Sequence, residues 1–334
     1  MPRFSTAAVA EVLAERPGLQ RVRLDNGRRA YVLTQLTGPV AVGERVVVNT
    51  TAVDLGLGTG GWDVVHWNLA RREWHEPGPG HVLKLRYTGL QVDTGVAEET
   101  APRVPDDLGG RPVVACALHS QVACVAVAFK HLAPERRLAY VMTDSAALPL
   151  ALSDLVADLR RAGLLDLTVT AGQAFGGEVE AVNVPSALLL AAARADAVVV
   201  GPGPGVVGTG TRYGFSGLEV ATVVDTVDAL GGVPIVAVRY SDADSRERHR
   251  GISHHSLTVL DLARAEAAVP VPRGRTAPQL ARADEIDVPD VPALLAAAGL
   301  RVTTMGRSPE EDPGFFAYAG AAGAAAAASI ASSQ

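Results

Sequence analysis

Five apolar runs, separated by helix-like segments, constrain this chain more than any other feature. They are RPVVACALHS, RLAYVMTD, LLDLTVTAG, DAVVVGPGPG and VPIVAVRYSD, beginning at Arg111. A strand that is apolar along its whole length must be covered on both faces. Between the runs lie helix signals. SQVACVAVAFKH can be capped by Ser120 and ends on Lys130 and His131, which suit a negative helix end. LSDLVADLRRAG sets Leu152, Leu155, Val156 and Leu159 on one face and stops at Gly163. VPSALLLAAARA carries Pro185 in its first turn, and SGLEVATVVDTVDALGG ends at Gly231. This rhythm predicts an α/β domain with a mainly parallel, doubly wound (Rossmann-like) sheet and helices on both faces. SLTVLDLA and GLRVTTMG are expected to add edge strands. The Pro-rich PVPRGRTAPQLARADEIDVPD between them carries no clear signal.

The first part reads differently. Asn26-Gly27 sits between alternating segments, a hairpin signal. VGERVVVNTTAVDLG is another strand-like run, and Gly and Pro punctuate the rest (LGLGTGG, EPGPG). A small barrel or sandwich is the expectation. Trp62, Trp67 and Trp74 all fall here, as packing residues or as an aromatic ligand surface. Residues 96–110 are polar and Pro/Gly-rich, as in a linker. The chain is therefore divided into residues 1–105, a small β-rich barrel-like domain with an N-terminal helix and the linker, and residues 106–334, the Rossmann-like domain. The Ala-rich end, AYAGAAGAAAAASIASSQ, reads as a terminal helix fraying into a disordered tail.

Composition excludes some classes. Hydrophobic residues make up 48% of the 334 and charged residues 20%, enough for a large core. With 30 Lys+Arg against 36 Asp+Glu, the formal charge of −6 lacks the broad basic field of a nucleic-acid binder, so such a partner is not expected. The N-terminus has no apolar signal region, and no run of about 18 strongly apolar residues suggests a membrane span. A cytoplasmic protein follows. Cys116 and Cys124, seven residues apart in apolar surroundings, match no zinc or redox spacing and read as buried thiols.

Ligands of open α/β sheets bind beyond the carboxyl ends of the strands, so the residues after each run matter most. They are His119-Ser120-Gln121, then Thr143-Asp144-Ser145, then 171–178, then the glycine-rich 201–217, then 241–255. Gly203, Gly205 and Gly208 fit G-x-G-x-x-G, followed by Thr209 and Thr211. Such a loop can turn backbone N–H groups toward an anion. The context is not that of a dinucleotide fingerprint, because the loop follows the fourth run and the helix begins only near Ser216. The last loop gathers Arg246, Arg248, His249, Arg250, His254 and His255. Arginines grip phosphate or carboxylate, and histidines serve as acid–base groups or metal ligands. The H-x4-H-H spacing matches no standard zinc motif, and a metal there needs further ligands, with His119 and Asp144 as candidates. Phe175 and Phe215 can stack on a ligand ring or fold back onto the core.

Taken together, these motifs resemble a family. GHVLKLRYTG (Gly80–Gly89), His119-Ser120-Gln121, Met142-Thr143-Asp144, TAGQAFGGE (Thr170–Glu178), GPGVVGTGT (Gly203–Thr211), GFSG (Gly214–Gly217) and RERHRGISHHSLT (Arg246–Thr258) are similar to a bacterial family known as domain of unknown function 3866, over roughly residues 20 to 320. The resemblance carries no activity, substrate or cofactor. It does mark Lys84 and Arg86 as part of the family pattern, with heads that would reach the rim of the second domain.

The expectation is an enzyme acting on a small anionic or phosphorylated ligand. The loop Gly203–Thr211 and Lys84 would hold the anion, Arg248 and Arg250 would neutralise it, and His119, Asp144, His254 and His255 would supply acid–base groups or metal ligands. The rival is a non-catalytic ligand-binding or protein-interaction module. Metal, cofactor and oligomeric state stay open.

Overall fold

A computed structural model describes residues 1–57, 60–100, 104–275 and 277–332. Parts of LGLGTGG, of the 96–110 linker, of the Pro-rich segment and of the last residues lie outside this set. The chain forms two compact units, Met1–Gly95 and Val96–Gln334.

The first unit is a closed barrel of β1 (Phe4–Arg16), β2 (Leu19–Leu24), β3 (Arg29–Leu33), β4 (Arg45–Asn49) and β5 (Trp62–Asn68), in the order β1-β2-β3-β5-β4. Its core is a set of inward valines, among them Val22, Val32, Val46, Val48 and Val65. The Asn26-Gly27 hairpin forms as expected, with Gly27 at φ +81° between β2 and β3. The N-terminal helix does not form. FSTAAVAEVLAER is strand β1, which pairs with β4 through Phe4–Ala8 and with β2 from Val9 onward. Two register shifts, at Val9/Glu11 and Val12/Ala14, let it change partners. Closing the barrel satisfies its backbone on both sides, and that outweighs the helix propensity of its alanines. Trp62 lies on the barrel's outside, stacked on Tyr31 (centroids 4.9 Å apart) with the Arg29 guanidinium 4.6 Å from its ring. Lys84 belongs to this unit and is buried in a short ladder of Leu83–Lys84 with Val92–Asp93.

In the second unit a six-stranded sheet contains β6 (Pro112–Cys116), β7 (Leu138–Thr143), β8 (Leu167–Thr170), β9 (Val179–Glu180), β10 (Ala197–Pro202) and β11 (Val233–Ala237). The order is β9-β8-β7-β10-β6-β11, and all pairs are parallel. The strands explain their own apolar runs. Val113, Ala115, Val198 and Val200 face one core, with helices α3 (Val184–Ala192) and α4 (Glu219–Ala229). Val114, Cys116, Tyr140 and Val199 face the other, with α1 (His119–Leu132) and α2 (Asp154–Arg161). Both cysteines are buried free thiols, and burial pushes their pKa values up.

Two edge-strand expectations fail. SLTVLDLA lies in helix α5 (His254–Leu262), started by the Ser253 hydroxyl, which accepts from the His255 amide. GLRVTTMG, which follows helix α6 (Val291–Ala297), forms only an isolated bridge between Thr304 and Arg307. The edges of the sheet are instead the short β9 and β11. The Ala-rich end is not a frayed tail within the described residues. Helix α7 (Pro313–Ser332) is a core element, with Phe315, Phe316 and Tyr318 fully buried. Its small residues let it lie close against α1: a Cβ on Gly323 would collide with the Val125 carbonyl. By length and hydropathy this helix is apolar enough to cross a membrane, but 67% of that window is buried inside the fold.

A cationic cavity at the strand ends

Three loops converge beyond the carboxyl ends of β6, β10 and β11. Ala117 and Leu118 follow β6, Val206 to Thr209 follow β10, and Arg239 follows β11. They enclose a cavity of about 220 Å³ that is also lined by Phe215, Arg246, Arg248, His249 and His255. This is the crevice that an open parallel sheet makes where neighbouring connections leave in different directions.

Local structure sets each group. After β11 the chain makes a two-residue strand, Tyr240–Ser241, which pairs antiparallel with Gly251–Ile252. That pairing folds the intervening loop back, so that Arg246, Arg248 and His249 meet the start of α5, where His254 and His255 sit. The rings of His249, His254 and His255 lie 4.3–4.9 Å apart, and their ligand-type atoms all fall within 4.8 Å of one another. Phe215 folds onto the protein and stacks on His255, centroids 3.7 Å apart at 4°.

Asp244 organises the arginines. It is buried and takes a two-point contact from Arg246 (3.0 and 2.9 Å), with Arg307 at 3.4 Å and Arg239 at 3.9 Å. These cations, Arg246 foremost, hold its carboxyl well below the usual range. Burial lowers Arg239 to about 10, so its guanidinium keeps its charge at neutral pH. The histidines are held neutral. Burial, then Arg239, pulls His249 and His255 down to about 3, and burial, then Arg248, lowers His254.

His255 carries the most specific information. Arg239 lies 3.1 Å from its Nδ1. A guanidinium only donates, so Nδ1 accepts and the neutral ring must carry its proton on Nε2. That Nε2 is buried with no partner, and the Cε1–Nε2 edge faces Gly208, which also lines the cavity. His249 Nδ1 is 2.7 Å from the Ser253 hydroxyl.

The sequence-derived candidates divide. His255, Arg248, Gly208 and Thr209 line the cavity, and His254 adjoins it through the histidine cluster. Thr211 is exposed and bonded to Thr209 (2.8 Å), and Arg250 bonds the Asp244 carbonyl (3.3 Å); neither lines the cavity. Gly203 packs against Ala147 and Met142, and Gly205, at φ +93°, borders a neighbouring cavity. His119 and Asp144 do not join the histidine cluster. His119 donates from Nδ1 to the Pro202 carbonyl (3.0 Å) and accepts at Nε2 from Ser153 (2.7 Å), and burial lowers it to about 4. It ties strand ends together. Asp144 accepts from the Gln173 amide (2.8 Å), which shapes the loop after β8. Its neighbours Thr143 and Ser145 donate instead to Glu219, whose carboxyl burial raises. Sequence reasoning missed Arg239 and Asp244. The one signal for Arg239 was a charge at the end of the otherwise apolar VPIVAVRYSD.

Fold and cavity together define a two-unit protein, a closed barrel followed by a doubly wound α/β unit with a cationic crevice at its strand ends. The chain belongs to the family described as protein of unknown function (DUF3866), whose pattern matches residues 29–323. No curated protein matches it.

Proposed function

We propose that the second unit binds a small oxyanion, a phosphoryl group foremost, in the histidine–arginine cavity. The observation that supports this is the forced tautomer of His255. Its buried Nε2–H is a donor without an acceptor, and a buried unsatisfied donor costs about 1–3 kcal/mol. An oxyanion oxygen would satisfy it, with Arg246 and Arg248 as charged donors beside it. In an enzyme, the same neutral His255 Nε2–H would stabilise charge developing on the bound group as a hydrogen-bond donor, and His249 and His254 would be bases, because their neutral rings keep a lone pair. Without turnover, the cavity is a sensor of the same ligand. The two buried free thiols suit a reducing, cytoplasmic compartment.

A metal is the second reading, favoured by the closeness of the three histidines. Zinc would need lone pairs about 2.0–2.1 Å from the ion. The Arg239 contact removes that lone pair from His255 Nε2, and three arginines beside the cavity repel a cation.

A thermal-shift titration with sulfate, phosphate and Zn²⁺ tests the choice. At about 100 times its dissociation constant, an anion adds roughly 2.7 kcal/mol, or several degrees. The shift is expected with the anions and is lost in Arg248→Ala and His255→Gln. Stabilisation by Zn²⁺ alone overturns the anion reading in favour of the metal.

A further inference from the structure

The cationic cavity has a neighbour. A second cavity of about 310 Å³ lies against it, and Leu118, Val206 and Met305 line both. Its own walls carry apolar Leu155, Pro204 and Val302, with His119 and Ser120 as polar neighbours. Thr303 and Arg301 stand exposed at its border. The wall between the cavities is unusual. Met305 holds φ +49°, a left-handed conformation that few side chains other than glycine adopt, and it remains 49% exposed. Backbone of this kind concentrates where ligands are gripped.

Size separates what each cavity can take. Pockets for organic ligands span roughly 300–1,000 Å³. The cationic cavity, at about 220 Å³, is below that range, and its charged lining suits an oxyanion. The neighbour is large enough for a ring, and its walls suit an apolar one. A thioether at the seam also packs well against an aromatic edge.

We infer that the ligand is an organic phosphomonoester whose phosphoryl group sits among Arg246, Arg248 and His255, while its apolar or aromatic body occupies the neighbouring cavity across Met305. This rests on the oxyanion reading above and adds the class of molecule that carries the anion. Inorganic phosphate would fill only the cationic half. Its affinity would then understate that of the full ligand, because the apolar walls would stay in contact with water.

Isothermal titration of the full chain with inorganic phosphate and with phenyl phosphate tests this. Phenyl phosphate is expected to bind about tenfold tighter or more, since burying one ring is worth over a kilocalorie. Thr303→Trp, an exposed position on the apolar cavity alone, is expected to remove that advantage and to leave inorganic phosphate binding unchanged. If the two ligands bind wild-type protein equally, or if Thr303→Trp leaves the preference intact, the inference is overturned while the oxyanion reading stands. If neither ligand binds the wild type, both fall together.

Discussion

The barrel and the α/β unit place charge in opposite ways. Residues 1–95 hold 11 Lys+Arg against 9 Asp+Glu, a net of +2, and the rest of the chain holds 19 against 27, a net of −8. The cationic cavity nevertheless belongs to the acidic unit. In the barrel unit, Arg23 and Arg29 point outward from the barrel, and the buried charges are Lys84, in its short ladder, and Asp63, held by Arg28 at 2.6 and 2.8 Å. In the α/β unit, Arg239, Asp244, His249, His255 and Asp312 are all buried, the first four around one crevice. Net charge governs solubility and long-range steering. A binding field is local, made by a few desolvated groups with fixed partners. The −6 of the whole chain describes neither unit.

If this contrast is right, the two units break differently. The largest effect should come from the tightest packing in the α/β unit. Gly323→Val drives a side chain into the Val125 carbonyl on α1, and a loss of about 3 kcal/mol or more is expected in urea denaturation. A loss below about 1 kcal/mol would mean that α7 can shift away. In the barrel, Arg28→Ala leaves Asp63 buried without its main partner. Because Arg28 is 34% exposed, a loss of about 2 kcal/mol is expected in the same assay. No change would place Asp63 in contact with water.

Binding should separate from stability. Arg248 is exposed and lines the cavity, so Arg248→Ala should weaken sulfate binding about tenfold and leave the melting temperature of the free protein within about a degree. A large fall in melting temperature would make Arg248 a structural residue.

The smallest and most gradual effects follow pH. His119 (about 4), His249 and His255 (both about 3) resist protons that the unfolded chain accepts from about 6.5 downward. Their contribution to stability is complete above pH 6.5 and is lost as pH falls toward 3. His255→Asn should flatten part of that slope in acid melts. Sulfate keeps its charge across this range and favours protonated histidine, so its affinity should rise as pH falls below 6.5 toward 3. An affinity that stays flat would take the histidines out of the anion's reach.

Much of this was legible in advance. The doubly wound sheet, the hairpin at Asn26-Gly27 and the gathering of His255, Arg248 and Gly208 at one rim follow from apolar runs and from which loops follow them. What failed did so for identifiable reasons. β1 and α7 both carry alanines that favour a helix; β1 became a strand because a barrel needed closing, while α7 is the expected helix but packs in the core, not as a tail, because α1 offered a matching surface. His119 and Asp144 sit at the expected strand ends, but both His119 ring nitrogens are engaged by Pro202 and Ser153, and Asp144 uses one oxygen on the Gln173 amide.

The sequence by itself determined the period of the strands, the placement of polar and glycine-rich residues after them, and hence the edge of the sheet at which a site can lie. These are matters of one or two neighbouring residues. Tertiary structure alone decided which rim residues meet, which nitrogen of His255 carries its proton, and that Asp244 aligns the arginines. Those depend on contacts such as Arg239 with His255, 16 residues apart, and Asp244 with Arg307, 63 apart. Only the folded chain brings such groups within hydrogen-bonding distance.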